Sequence, residues 1–152
     1  MIVIEKACKE DSAEILKLQY IAYQSEAMLF GTTDIPPLKQ TLEEVLQEFQ
    51  RGIILKTTDE NGNIIGSVRA YCENGTAYIG KLMVHPDFQK KGIGSMLLSE
   101  IEKQFPSLRY ELFTSTRSVN NIRLYQKLGY RIFKEENVTE ELQFVYLEKM
   151  NK

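Results

Sequence analysis

The chain has 152 residues, 43% of them hydrophobic and 26% charged, and its formal net charge is −2. This balance argues against disordered chains, membrane proteins and the global positive field of a nucleic-acid-binding protein. Two cysteines without disulfide-framework or metal-ligand spacing, and no apolar run of 18 residues, lead us to expect one cytoplasmic domain over residues 1–152 that binds no metal.

The first third of the chain predicts one strand and two helices. A strand is expected at Ile2 to Lys6, and Asp11 to Glu14 has the spacing of a capping box that begins a helix running to about Ala27. The pair Pro36-Pro37 should break helical structure. Thr41 to Glu44 then offers a second capping box, which predicts a second helix with an apolar stripe.

Three β-runs follow, at Ile53 to Thr57, Ile64 to Tyr71 and Thr76 to Val84. They are separated by Asn61-Gly62 and Asn74-Gly75, dipeptides that favour tight hairpins, so an antiparallel meander is expected. The third run is mostly apolar on both alternating faces, as in a strand covered by helices on each side. This strand is therefore predicted to be central.

The rest of the chain alternates helices and strands. We expect helices at Gly92 to Phe105 and Val119 to Leu128, and strands at Tyr110 to Thr114, Tyr130 to Lys134 and Gln143 to Glu148. The predicted fold class is α+β: a mostly antiparallel sheet of six to seven strands with about four flanking helices. An exposed last strand would offer an edge for pairing in a homodimer.

The segment 84–95 joins the predicted central strand to a helix and has the properties of a phosphate site. Gly92 and Gly94 allow close approach of the main chain, and the helix N-terminus leaves N–H groups unpaired with a partial positive charge. Lys90 and Lys91 add positive charge beside them. A loop in which the glycines only relieve strain at the start of the helix is the alternative interpretation.

Two common phosphate-binding motifs do not fit this segment. A P-loop places its lysine after the second glycine, whereas both lysines here come before the glycines. A dinucleotide-binding fingerprint needs a third glycine at the position where this chain has Leu97. That fingerprint also follows the first strand directly, whereas the segment here follows a later strand. Both classes are therefore disfavoured.

Two motifs in the expected order give a more specific indication. The first, Q/R-x-x-G-x-G/A, is matched by Gln89, Gly92 and Gly94; the second, L-Y-x-x-x-G-[FY], is matched by Leu124, Tyr125, Gly129 and Tyr130. With these motifs the chain resembles the GNAT acetyltransferase superfamily over nearly its whole length. The resemblance implies acetyl-CoA as co-substrate and two central strands that splay apart to admit it.

The resemblance also implies where acetyl-CoA lies. Pantetheine would pair with the main chain of the central strand, and the diphosphate would lie on the glycine-bearing turn. Asn121 lies one turn before Tyr125 on the same helix face, so its amide could reach the pantetheine arm. The residues expected to bind acetyl-CoA are Leu82, Met83, Val84, Gln89, Lys90, Lys91, Gly92, Ile93, Gly94, Ser95 and Asn121.

Acetyl transfer needs a polarised carbonyl, a proton for the leaving thiolate and a neutral amine. By resemblance to the family, a main-chain N–H of Met83 or Val84 polarises the carbonyl, and Tyr125 is the general acid. A phenol with an ordinary pKa of ~10 suits that proton transfer. Tyr125 could instead be a core aromatic at helical spacing with Leu124 and Leu128.

The general base has no clear counterpart. Family members often carry a glutamate on the central strand or on the strand before the tyrosine helix, where this chain has Lys81 and Phe113. Glu111 lies two residues from Phe113 on the same strand face and is the candidate catalytic base. A solvated strand-end charge, a water relay, or an amine that arrives neutral are alternatives.

The amine acceptor is expected against the first helices. Tyr23, Glu26 and Phe30 combine aromatic rings with an acid, a combination that suits a cationic amine, although such tyrosines are often packing residues. A small molecule and a peptide both remain possible acceptors.

Two other functions stay open. A domain of the same fold could bind acyl-CoA as a sensor or structural module without turnover. A nucleotide-dependent oxidoreductase is the more distant alternative.

Overall fold

The computed structural model describes residues 2–31, 35–106, 109–140 and 142–150, without the side chains of Glu26, Leu29 and Phe30. Within these ranges the chain forms seven strands: β1 (Ile4–Lys6), β2 (Ile53–Thr58), β3 (Ile64–Glu73), β4 (Thr76–Val84), β5 (Arg109–Ser115), β6 (Arg131–Asn137) and β7 (Gln143–Met150). It also forms five α-helices: α1 (Ser12–Phe30), α2 (Pro36–Lys39), α3 (Leu42–Arg51), α4 (Ile93–Gln104) and α5 (Val119–Lys127).

The strands form one sheet in the order β1-β2-β3-β4-β5-β7-β6. Each neighbouring pair is antiparallel except β4 and β5, which are parallel. The mixed α+β fold with a mostly antiparallel sheet is therefore confirmed, and β4 is central as predicted.

Helices cover both faces of this sheet. Ile64 packs with Ile15 of α1, whereas the next residue, Ile65, packs in the cluster that contains Leu97 of α4. Because successive side chains of a strand point to opposite faces, α1 and α4 lie on opposite sides of the sheet.

The hairpin between β3 and β4 is tight, as its sequence indicates. Asn74 and Gly75 both have positive φ, at 52° and 80°. Two successive left-handed residues are the signature of a type I′ turn, which asparagine and glycine adopt at low cost.

Of the two predicted capping boxes, the second is confirmed. The N–H of Glu44 donates to the Thr41 hydroxyl at 3.2 Å, and the N–H of Thr41 donates to the Glu44 carboxylate at 2.9 Å. This reciprocal pair begins α3 where the sequence predicts a helix.

The predicted capping box of α1 is wrong. The Asp11 carboxylate accepts from the N–H of Cys8 at 2.9 Å and pairs with Lys56 at 2.9 Å. The Glu14 carboxylate accepts from the N–H of Ile64 at 2.8 Å. Both carboxylates therefore serve neighbouring segments instead of the helix end.

Two further expectations are corrected. Pro36 and Pro37 begin the one-turn helix α2 instead of only ending helical structure, since proline is tolerated in a first turn where its missing N–H is not needed. The last strand, β7, lies between β5 and β6, so the edge expected at residues 143–148 is already paired and β6 lies at the margin of the sheet.

Strand β4 carries a bulge near its end. Ser67 pairs with Met83 and Arg69 pairs with Gly80, so two residues of β4, Lys81 and Leu82, oppose one residue of β3. Lys81 has a φ of 51°, a left-handed conformation that is uncommon outside glycine. A bulge of this kind bends the strand and changes the direction of its side chains.

Among the helices described, none combines the length and the apolar composition needed to cross a lipid bilayer.

Candidate active site

The parallel strands β4 and β5 separate after a short paired stretch. Their ladder runs from Thr76 opposite Arg109 to Tyr78 opposite Glu111, and beyond it the strands diverge. A cavity of about 680 Å³, here called the larger cavity, occupies this opening and is lined by β4, β5, α5, the entry of α4 and the α1–α2 region. The predicted splaying of two central strands is therefore present, and the volume is typical of a small-molecule site.

The end of β4 lines this cavity along the edge that β5 does not pair with. Leu82, Met83 and Val84 line it, and on the opposite edge β3 pairs with Met83 and Val84. The Gln89 amide donates to the carbonyl of Val84 at 3.1 Å, which fixes the start of the following loop. An extended ligand could pair with the edge of β4 that faces the cavity, as an added strand does.

The glycine-bearing turn enters α4 with an exposed helix end. Gly92 has a φ of 83° in the N-cap position and gives the helix no side-chain cap. The first N–H groups of α4 therefore keep their capacity to bind an anion. Gln89, Lys90 and Gly94 line the larger cavity.

Four predicted cofactor residues do not line this cavity: Lys91, Gly92, Ile93 and Ser95. The side chain of Ile93 is 1% exposed and belongs to the core, so this residue can offer a ligand only its main chain.

Helix α5 brings Tyr125 to the same space. Tyr125 is 6% exposed and lines the larger cavity, and Asn121, one turn earlier, lines it too. The ring of Tyr130 packs nearby, with 6.3 Å between the two centroids. The structure thus brings together the main-chain edge of β4, the entry of α4 and the predicted general acid.

Glu111, the candidate catalytic base, does not line the larger cavity. Its carboxylate accepts from Arg109 at 2.7 Å and lines a second cavity of about 380 Å³ on the side of the sheet covered by α3. This second cavity is lined by Glu48, Arg51, Arg69, Ala70, Tyr71, Tyr78, Ile79, Gly80, Lys81, Glu111, Leu112, Phe113 and Tyr146. Among the described residues that line the larger cavity, none is an aspartate, glutamate or histidine.

A buried polar network that the sequence analysis missed borders the second cavity. Arg69 is 5% exposed and donates to Glu48 at 2.7 Å and to Gln19 at 2.6 Å. Burial would raise the pKa of the Glu48 carboxyl, but the charge of Arg69 together with hydrogen bonds from Arg69 and Gln40 lowers that pKa below its ordinary value. The available signal was Arg69 itself, a charged residue in the middle of a mostly apolar strand.

Lys81 lines both cavities. Its pKa is lowered, mainly by burial and further by the charges of Arg69 and Arg51, while Glu48 acts in the opposite direction. Lys81 therefore carries a partly desolvated positive charge where the two cavities meet.

The predicted acceptor residues are only partly described. Tyr23 lines the larger cavity from α1. The side chains of Glu26 and Phe30 lie outside the described part of the chain. In that described part, no group of three or more histidine, cysteine, aspartate or glutamate residues is placed to hold a metal ion.

Comparison with known proteins finds a matching family model and several similar sequences. Residues 51–132 match the family model described as an acetyltransferase (GNAT) domain. The chain is 29% identical over 119 residues to UPF0157 protein YqkA of Bacillus subtilis, covering 78% of this chain and 34% of that protein. It is 30% identical over 78 residues to the uncharacterized N-acetyltransferase ycf52 of Porphyra purpurea, covering 51% of this chain and 45% of that protein.

The chain thus spans less than half the length of either relative. Among solved structures it is similar to the PaiA N-acetyltransferase of Thermoplasma acidophilum in complex with coenzyme A. The TM-score is 0.82 with 19% identity, over 99% of each chain, a likeness that concerns the fold.

Proposed function

This chain belongs to the GNAT acetyltransferase family, and on that premise we propose that it transfers an acetyl group from acetyl-CoA directly to a primary amine. The observation that carries the proposal is the larger cavity, which joins the edge of β4, the entry of α4 and Tyr125 in one space. A thioester held along this edge would lie within the cavity that the phenol lines.

The larger cavity and the turn beside it fit acetyl-CoA as a substrate. The main chain of Leu82, Met83 and Val84 suits the extended pantetheine arm, because an exposed strand edge pairs with extended chains. The uncapped N-terminus of α4 suits the diphosphate, and Lys90 and Lys91 supply opposite charge beside it. The similar fold from Thermoplasma acidophilum, solved in complex with coenzyme A, supports this assignment.

The transfer then proceeds by nucleophilic attack. The amine nitrogen attacks the thioester carbonyl carbon, a C–N bond forms and the C–S bond breaks. A main-chain N–H of Met83 or Val84 stabilises the charge that develops on the carbonyl oxygen. Tyr125 gives its phenolic proton to the departing thiolate.

The amine must also lose a proton. Glu111 is the proposed acceptor of that proton, reached from the second cavity, although its carboxylate already binds Arg109. A water relay or an amine that arrives neutral would serve the same purpose.

A second candidate function is an acyl-CoA-binding module without turnover. The observation that favours it is the position of Glu111, the candidate base, which pairs with Arg109 and lines the second cavity instead of the larger one. Binding would then need only the strand edge and the helix end.

One experiment separates these functions. Purified protein is titrated with acetyl-CoA by calorimetry and then incubated with acetyl-CoA and a panel of amines while free thiol is measured. Saturable binding with amine-dependent thiol release is expected. Binding without amine-dependent release would instead support the binding module, and NAD(H) displacing coenzyme A would support an oxidoreductase. Lack of affinity for coenzyme A and its acylated forms would overturn the proposal.

A further inference from the structure

The second cavity adjoins the larger cavity and shares part of its lining. Ile79, Gly80, Lys81, Leu112 and Phe113 line both. At ~3.3 Å per residue, the stretch of β4 from Tyr78 to Lys81 covers about 10 Å, the length of a small molecule. A molecule in the second cavity could therefore direct one end towards the larger cavity.

The carboxylates that line the second cavity are already neutralised by arginine. Glu48 pairs with Arg69 at 2.7 Å, and Glu111 pairs with Arg109 at 2.7 Å. Because each carboxylate is already paired with an arginine, the second cavity keeps little net negative charge that could attract a cationic substrate.

Two cations of the lining have no such partner. Among the described residues, no carboxylate lies within 4.0 Å of the charged groups of Arg51 or Lys81. The guanidinium of Arg51 lies over the ring of Tyr71, 4.0 Å from its centroid, which limits its orientation. Tyr71 in turn stacks on Tyr78 with 5.2 Å between centroids.

Arg69, which also lines the second cavity, has an unused hydrogen-bond donor. Its Nε is a buried donor with no hydrogen-bond acceptor among the described residues, although its other nitrogens are bonded. Buried hydrogen-bond donors normally have an acceptor, and a buried donor without one reduces the stability of the folded state.

The charge of Lys81 is poorly solvated. Its pKa is lowered mainly by burial; the charge of Glu48 opposes that shift, and the charges of Arg69 and Arg51 add to it. A negative group bound beside Lys81 would offset the cost of burying its charge.

We propose that the second cavity binds an anionic group of the amine acceptor, so that the acceptor is an amine that also carries a carboxylate or a similar anion. Arg51 and Lys81 hold the anion, the stacked tyrosines flank the carbon skeleton, and the amine end extends to the larger cavity. This inference rests on the proposed acetyl transfer and specifies its substrate class.

The test compares matched pairs of amines. Each α-amino acid is assayed beside its own carboxamide, which keeps the amine and the side chain and removes the negative charge. Short peptides with an acidic second residue form a further arm, which identifies whether the anion comes from a free amino acid or a peptide. We expect at least one acid to exceed its amide in kcat/KM by about 10-fold or more, as loss of a charge-assisted hydrogen bond would produce.

Variants connect that preference to the cavity. Arg51→Gln and Lys81→Met should each reduce the acid-to-amide ratio about 10-fold, whereas Lys81→Arg, which keeps the charge, should retain most of it. Lys103→Gln removes an exposed cation on α4, which pairs with Glu100, and serves as the control. Unchanged affinity for acetyl-CoA in all four variants would show that the effect belongs to the acceptor.

Equal rates for acids and amides, or a preference unaffected by Arg51→Gln and Lys81→Met, would overturn the inference while leaving acetyl transfer intact. Failure of every amine to release thiol counts against the proposed transfer instead. In that case, calorimetric titration of the coenzyme A complex with the same acid and amide pairs still decides the question, because selective binding of acids that Arg51→Gln abolishes supports the anion site. Equal or undetectable binding of both members contradicts it.

Discussion

Tyr125 is buried and lines the larger cavity, as Ile79 and Leu112 do, but unlike those two residues it carries a hydroxyl that can donate a proton. Its position on the inner face of α5 follows from the helical spacing that the sequence displays. That spacing alone also fits a core residue, so the lining of the cavity is what favours a chemical role.

We predict that Tyr125→Phe lowers kcat by about 100-fold with little change in KM for acetyl-CoA, since a lost general acid affects the transition state. Steady-state kinetics across pH with a saturating acceptor measure this. Tyr130→Phe is the matched control: it removes a hydroxyl that donates to Glu102 at 2.7 Å, and should lower Tm but not kcat. A Tyr125→Phe enzyme with full kcat across pH would exclude Tyr125 as general acid.

The two glycines of the phosphate turn differ in their tolerance of a side chain. Gly92 has a φ of 83°, so a side chain there costs ~1–2 kcal/mol of backbone strain. A Cβ on Gly94 would lie 3.6 Å from Leu124, an ordinary contact. Gly94 is therefore the better position for testing the anion cradle.

Gly94→Ala should weaken coenzyme A binding by about 10-fold, the loss expected when one charge-assisted hydrogen bond is disturbed. Its Tm should not fall, because alanine favours a helix over glycine by about 1 kcal/mol. Calorimetry and thermal unfolding give the two values, with Ser99→Ala on the exposed side of α4 as control. Unchanged coenzyme A affinity in Gly94→Ala would contradict the cradle.

At the level of elements, α3 is held to β3 by the ion pair of Glu48 and Arg69. The pKa of the Glu48 carboxyl is lowered in the folded protein. Its contribution to stability is therefore present above the unfolded pKa of ~4.3 and is lost as the pH falls through the lower folded value.

We expect Glu48→Gln to reduce the free energy of unfolding by roughly 3 kcal/mol at pH 7, as breaking a buried pair does, and by less near pH 3. Urea unfolding at the two pH values measures the difference. Glu100→Gln, whose pair with Lys103 is exposed at the surface, should change stability by less than about 0.5 kcal/mol at both. An equal loss for Glu48→Gln at both pH values would show that the ion pair is not the cause.

The two predicted capping boxes show how far a short sequence motif can predict the start of a helix. Thr41 and Glu44 cap α3 by reciprocal hydrogen bonds between residues three positions apart. Asp11 and Glu14 have the same spacing, but Lys56 and the main chain of Ile64 bind their carboxylates. The partners lie about 45 and 50 residues away, so only the packed structure could reveal them.

At the scale of the whole molecule, the order of the strands in the sheet decides which strands lie at its edges. Sequence order placed the last strand at an edge, but β7 is inserted between β5 and β6. A homodimer stays a prediction, and β1 and β6 are the strands at the two margins of the described sheet where such pairing could occur. The single-domain organisation and the cytoplasmic location also stay predictions.

The sequence by itself determined the order and type of most elements, the hairpin of Asn74-Gly75 and the family, because periodicity, turn residues and short motifs are local properties. It also pointed to the α4 turn and to Tyr125 for the same reason. Only the tertiary structure placed Glu111 in a different cavity from Tyr125 and brought Glu48, Arg69 and Lys81 together. Those positions depend on the divergence of β4 from β5, on the β4 bulge and on the packing of α3, which are set by contacts between residues far apart in the chain.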